Sequence, residues 1–215
     1  MATRQVAGGG RLVEVPPERL ERWLAGFAER HGAVTEQPCE GGVELVAADG
    51  SRARCAPAFP PLAEPTQAAL LVHARRDRRV GVLLVRLGGH AAGVFTGRAL
   101  EVSKVGSRQV HGRSSAGGWS QQRFARRRAG QVSVAQEAAA DVAARILLPQ
   151  LGSLEAVITG GDRTALTAVL ADRRLAALLP LVTARVLDVA DPRRDVLEAV
   201  VDAARAVQIT LLDPA

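Results

Sequence analysis

A chain of 215 residues that is 47% apolar, with four Phe, two Trp and no Tyr, is globular and builds its core from Ala, Val and Leu. No stretch approaches 18 uninterrupted apolar residues, and no apolar run follows Arg4. The expectation is therefore a cytoplasmic chain with neither membrane span nor signal peptide. The net charge of +6 is carried in one place: Val102 to Gln136 holds seven Lys or Arg and no Asp or Glu, against 21 basic and 22 acidic residues elsewhere.

In chain order, Pro16-Pro17 and the spacing of Leu20, Trp23, Leu24 and Phe27 predict a helix over 18–30 that ends at Gly32. Val43 to Ala47 and Arg52 to Cys55 read as a hairpin about Asp49-Gly50. The proline-rich run 57–65 reads as a linker, so residues 1–60 are expected to form a small N-terminal helix and hairpin layer packed on a main α/β domain at 61–215. Val80 to Leu87 is almost wholly apolar, as for a central strand buried on both faces. Gly88-Gly89 and Thr96-Gly97-Arg98 are the turns that fold it into a three-stranded meander with 90–95 and 100–105. A glycine- and serine-rich basic loop is predicted at 104–122, followed by a helix from Ser120, as N-cap, to about Leu148. Beyond it come a strand at 155–159, a Gly160-Gly161-Asp162 turn, and helices at 164–170 and 173–179. A strand at 184–189, a helix at 193–206 and a strand at 207–212 complete the chain. Strands alternating with helices predict a mixed β-sheet flanked by helices.

Conventional catalytic motifs are missing. Gly112-Arg113-Ser114-Ser115-Ala116 lacks the last glycine of a nucleophile elbow, and Gly106-Ser107-Arg108 lacks the Lys-Ser/Thr ending of a phosphate loop. The four His have no metal-ligand spacing, and Cys39 and Cys55 read as reduced structural thiols, so no metal or cofactor is expected. Gly160-Gly161-Asp162 opens a helix and reads as an anion site or, more simply, as a tight turn with an Asp N-cap. The basic segment is the informative one. Lys104, Arg108, Arg113, Arg123, Arg126, Arg127 and Arg128 form the footprint of a phosphate-backbone ligand, and the face lacks the apolar stripe of a membrane helix. Within it, Gly117-Gly118-Trp119-Ser120-Gln121-Gln122 combines paired glycines with glutamines able to orient water. Gly106 to Gly118 is long enough to project about 20 Å out and back, at roughly 3.3 Å per residue.

Leu84-Val85-Arg86, Gly93-Val94-Phe95, Ser103 to Arg108 and Gly117 to Arg128 together resemble the actinobacterial and chloroflexi family of release-factor-like peptidyl-tRNA hydrolases. That family is related to the middle domain of the eukaryotic class-I release factor and to the eukaryotic hydrolase of ribosome-associated quality control. The resemblance covers about residues 15–212. It implies a release-factor catalytic-domain fold, itself similar to ribonuclease H. It also implies hydrolysis of the peptide–tRNA ester on a stalled large ribosomal subunit, with 23S rRNA and peptidyl-tRNA as partners. The motif glutamine directly follows two glycines in release factors and is separated by one residue in the quality-control relative; here Trp119 and Ser120 intervene. Gln121, which follows a Ser as in that relative, is taken first, Gln122 second and Gln109 third, with Gly117, Gly118 and Ser120 shaping the site. Two other readings stand beside this one: an endonuclease acting near the tRNA 3′ end, and a non-catalytic ribosome-binding factor.

Overall fold

The computed structural model describes residues 3–5, 10–107, 120–212 and 214. They form β1 (Thr3–Gln5), β2 (Arg11–Val15), α1 (Pro17–His31), β3 (Val34–Cys39), β4 (Gly42–Ala47), β5 (Arg52–Ala56) and α2 (Gln67–Arg75). Next come β6 (Arg79–Arg86), β7 (Gly89–Thr96), β8 (Ala99–Ser107), α3 (Ser120–Leu147) and a 3-10 segment, Leu148–Ser153. The remainder is β9 (Ala156–Gly161), α4 (Arg163–Leu170), a 3-10 segment Arg173–Leu181, β10 (Val182–Leu187), α5 (Arg194–Arg205) and β11 (Val207–Leu212).

Two compact units result: Met1–Arg76 with Asp202–Ala215, and Asp77–Val201. The chain thus changes unit at 76/77 rather than near residue 60. The reason lies in α2, which follows the proline-rich run and buries Leu70 and Ala74 in the first unit's core. The final strand also returns to this unit instead of extending the mixed sheet.

The first unit is a six-stranded sheet in the order β1-β2-β11-β5-β4-β3. All the pairings in it are antiparallel. Val13, Val15, Leu45, Ala53, Cys55, Val207 and Ile209 pack with Leu20, Leu24 and Phe27 of α1. The alternate strand positions are polar: Arg54 pairs with Glu44 across the β4–β5 ladder at 2.8 Å, and Gln208 donates to Glu14 across β11–β2. That period-two division explains why short strands suffice here. Burial among apolar neighbours pushes the Cys55 thiol up to about 12, so it is an inert core group.

The second unit is the mixed sheet, in the order β10-β9-β6-β7-β8. The meander β6–β7–β8 is antiparallel, while β9 pairs parallel with β6 and β10 parallel with β9. β6 and β7 are buried along nearly their whole length, as the uninterrupted apolar run predicts. On one face Leu83, Val85, Ala92, Val94 and Val157 pack against Ala139, Ala143, Ile146 and Leu147 of α3 and Leu166 and Val169 of α4. The β6–β7 turn consists of Leu87-Gly88, because Gly89 is already paired with Arg86 in the ladder.

Candidate functional site

Both ends of the predicted loop at 104–122 lie in regular elements. Ladder pairs Ala91↔Val105, His90↔Gly106 and Gly89↔Ser107 keep β8 in register to Ser107, and α3 already begins at Ser120. Lys104 therefore sits on a strand, and Ser120, Gln121 and Gln122 occupy the first turn of a helix rather than a loop. Arg108, Gln109, Arg113, Gly117 and Gly118 lie outside the described residues, as do the side chains of Ser120, Gln121, Gln122, Arg123 and Arg126.

β8 is the edge strand of the mixed sheet. Lys104 lies opposite Ala92, so its side chain leaves the sheet on the face that carries α3, where it is exposed. Gly106 faces His90, and a Cβ there would run into the His90 imidazole; the glycine lets this buried histidine lie under the end of the strand. Counting the scattered histidines along the chain hid that pairing, because it arises from strand register.

At the other end of the segment, α3 is 28 residues long, with no acidic residue in its first turn. No described residue from Arg127 to Ala138 is buried, whereas Ala139, Ala140, Val142, Ala143, Ile146 and Leu147 are. Full burial is thus confined to the C-terminal third of the helix, while 128, 131, 132, 135, 136 and 138 are half-buried. Residues 120–138 span about 28 Å at 1.5 Å per residue and carry the arginines. Arg127 is exposed and Arg128 half-buried. Among the described residues, neither they nor Lys104 have an acidic partner, whereas Arg54, Arg75, Arg79, Arg174, Arg194 and Arg205 all do. Arg126, Arg127 and Arg128 follow Arg123 in the first three turns with no acid among them, and this concentration of like charge without a counter-charge points to an external anion.

Two ion-pair groups fix the frame around this segment. Arg79 of β6 binds Glu101 of β8 at 2.5 Å and Gln150 at 2.9 Å, and also reaches Ser153. One guanidinium therefore ties the strand entering the basic segment to the residues that follow α3. The Arg79 hydrogen bonds, helped by Thr96, hold the Glu101 carboxyl down at about 2. Arg174 joins Asp141 of α3 and Asp172, each at 2.7 Å, and its hydrogen bonds bring Asp172 to about 2.

The Gly160-Gly161-Asp162 turn has a structural account. Gly161 has φ +109°, a Cβ on it would strike the Val85 carbonyl, and Asp162 caps α4 by accepting from Ala165 N at 2.8 Å. A carboxylate already occupies that helix end, which disfavours an added anion. No group of metal-ligating side chains occurs among the described residues, and no helix among them is long and apolar enough to cross a membrane.

No curated protein matches the chain. Solved structures that match include an archaeal translation termination factor, aRF1, at 18% identity and TM-score 0.41, covering 89% of this chain and 63% of that one. A second is an archaeal protein at 16% identity and TM-score 0.39, covering 89% and 65%. A third is S. cerevisiae Dom34, a translation termination-like factor involved in RNA quality control pathways and interacting with Hbs1, at 7% identity and TM-score 0.36, covering 93% and 66%. The chain spans less than two thirds of the length of each. Residues 78–210, more than half of the chain, match the family described as Actinobacteria/chloroflexi VLRF1 release factor. The match takes in the mixed sheet, the basic segment and α3, and the chain belongs to that release factor family.

Proposed function

We propose that the protein is a ribosome-dependent peptidyl-tRNA hydrolase that frees nascent peptide from tRNA on stalled large subunits in the cytoplasm. The observation that carries this reading is the acid-free segment between β8 and α3, whose described cations Lys104, Arg127 and Arg128 have no acidic partner. Membership of a release factor family supports it. Lys104, Arg108, Arg113, Arg123, Arg126, Arg127 and Arg128 hold RNA phosphates of 23S rRNA and tRNA, and Gly117 and Gly118 bring the chain close to the ester. Gln121, with Gln122 as the other candidate, orients the water that attacks the ester carbonyl. The C–O bond to the tRNA ribose breaks, and its oxygen leaves with a proton.

The helical start at Ser120 adds a second contribution. The first four N–H groups of an α-helix have no intrahelical acceptor, so those of Gln121 and Gln122 are free to face the charge that develops on oxygen. No metal or cofactor takes part in this scheme.

The test is peptide release from stalled 50S–peptidyl-tRNA complexes by the wild-type chain and by Gln121→Ala and Gln122→Ala side by side. Release with an intact tRNA CCA end supports ester hydrolysis, whereas a shortened 3′ end identifies an endonuclease. Binding without release identifies a non-catalytic factor. Full activity in both glutamine variants overturns the site assignment.

A further inference from the structure

From the first unit alone, independently of the hydrolase reading and outside the residues that match the family, we infer that the groove beside α1 is a nucleotide-binding site that takes a base together with its phosphate. The groove has a volume of about 430 Å³ and is lined by Val15, Arg19, Arg22 and Trp23. That size is within the range of small-ligand sites, roughly 300–1,000 Å³. Its floor is apolar: Val15 is fully buried, and the indole of Trp23 stacks on Phe27 at 5.7 Å and 10°. Phe27 in turn contacts the His31 ring at 4.7 Å, so the indole is backed by an aromatic row along α1 that keeps it in place.

The charge around the groove is sorted. The acids in the first two turns of α1 are engaged elsewhere, Glu18 with Arg205 at 3.4 Å and Glu21 with Arg75 at 2.6 Å. Arg19 and Arg22 are exposed and have no acidic partner among the described residues. An aromatic ring flanked by two guanidinium groups that have no acidic partner among the described residues, with no carboxylate among the described lining residues, suits a ligand that is a flat π system at one end and an anion at the other. Stacking on an indole serves any base, and each guanidinium can clamp phosphate oxygens in pairs. A nucleotide meets both demands, either within a single RNA strand or as a free mononucleotide.

The deciding measurement uses the full-length Trp119→Phe protein, in which Trp23 is the only tryptophan. Its fluorescence is titrated with an eight-residue oligouridylate and, separately, with adenosine monophosphate. Saturable quenching by the oligonucleotide at concentrations where the mononucleotide has no effect supports a strand site; quenching by the mononucleotide supports a free-nucleotide site. Arg19→Ala with Arg22→Ala, both exposed and therefore neutral for folding, is expected to weaken the quenching interaction at least about 10-fold and to flatten its salt dependence. Replacing Arg127 and Arg128 by Ala is expected to leave the quenching in place. The inference is overturned if neither ligand quenches Trp23, if the Arg19/Arg22 double variant binds like the parent, or if the Arg127/Arg128 variant abolishes the signal.

Discussion

The two ends of α3 obey different rules. Its last nine residues, Ala139–Leu147, put Ala139, Ala143, Ile146 and Leu147 into the core of the mixed sheet, and Asp141 is tied to Arg174. The stretch before them, from Arg127 to Ala138, has no fully buried residue, leaves Val134 54% exposed and, as far as Gln136, belongs to the acid-free run. One helix thus combines a fully buried C-terminal anchor with a basic N-terminal arm whose inner face is only half-buried and whose other face is open to solvent. Attachment comes from the apolar side chains of the last turns, and the earlier turns leave their cations accessible.

The comparison can be broken most severely at the anchor. Leu147→Ala is expected to cost about 3 kcal/mol by denaturant unfolding, because a fully buried leucine leaves a cavity against Gly81 and the sheet. Val134→Ala, the matched change on the arm, should stay within about 0.5 kcal/mol. Comparable losses at both positions would erase the distinction. At the arm's tip the readout changes from stability to chemistry: Gln121→Ala should lower single-turnover peptide release about 10²-fold with an unaltered unfolding curve.

Arg127→Ala with Arg128→Ala is a smaller and sharper probe. Affinity for the ribosomal complex should fall, and the log–log salt slope should decrease by about 1.4–1.8 for two lost phosphate contacts. Thermal stability should hold or rise slightly, since the change removes mutual repulsion among neighbouring arginines that lack an acidic partner among the described residues. An affinity unchanged at every salt concentration would show that these arginines only solvate the helix. Gly130→Ala tests the backbone within the basic part of α3. Among the described residues, no atom outside the helix's own backbone lies within 4 Å of a Cβ added there, so the helix should gain about 0.5–1 kcal/mol. If release falls although stability rises, the glycine supplies a bend that function needs.

The weakest effect concerns pH. Arg79 holds the folded Glu101 carboxyl at about 2, below its ordinary 4.5. A depressed carboxylate contributes stability that is fully present above pH 4.5 and is lost as pH falls towards about 2. Glu101→Gln should therefore flatten the acid limb of the stability curve only within that window, and modestly, because Glu101 is partly exposed. A change in slope near neutrality would mean that another group is responsible.

Local patterns along the chain determined a good deal. Period 3.6 in 18–30, the apolar run 80–87, the turn glycines and the prolines located α1, the meander, α3 and β11 to within a few residues, since such elements depend on their own side chains. The localised charge and the Gly-Gly-Trp-Ser-Gln-Gln run were equally legible, because both lie in consecutive residues. β1, β2 and β3 carry short, weakly patterned sequences that become strands only by pairing in the sheet; β2 against β11 joins residues about 200 apart in the chain. α2 was hidden behind a proline-rich run, and its helix is justified by the core that Leu70 and Ala74 complete. Tertiary structure alone decided that the strands divide between two sheets, that β8 continues to Ser107 above His90, and that Trp23 borders a groove with Arg19 and Arg22. These are products of register and non-local contact, which no window along the chain contains.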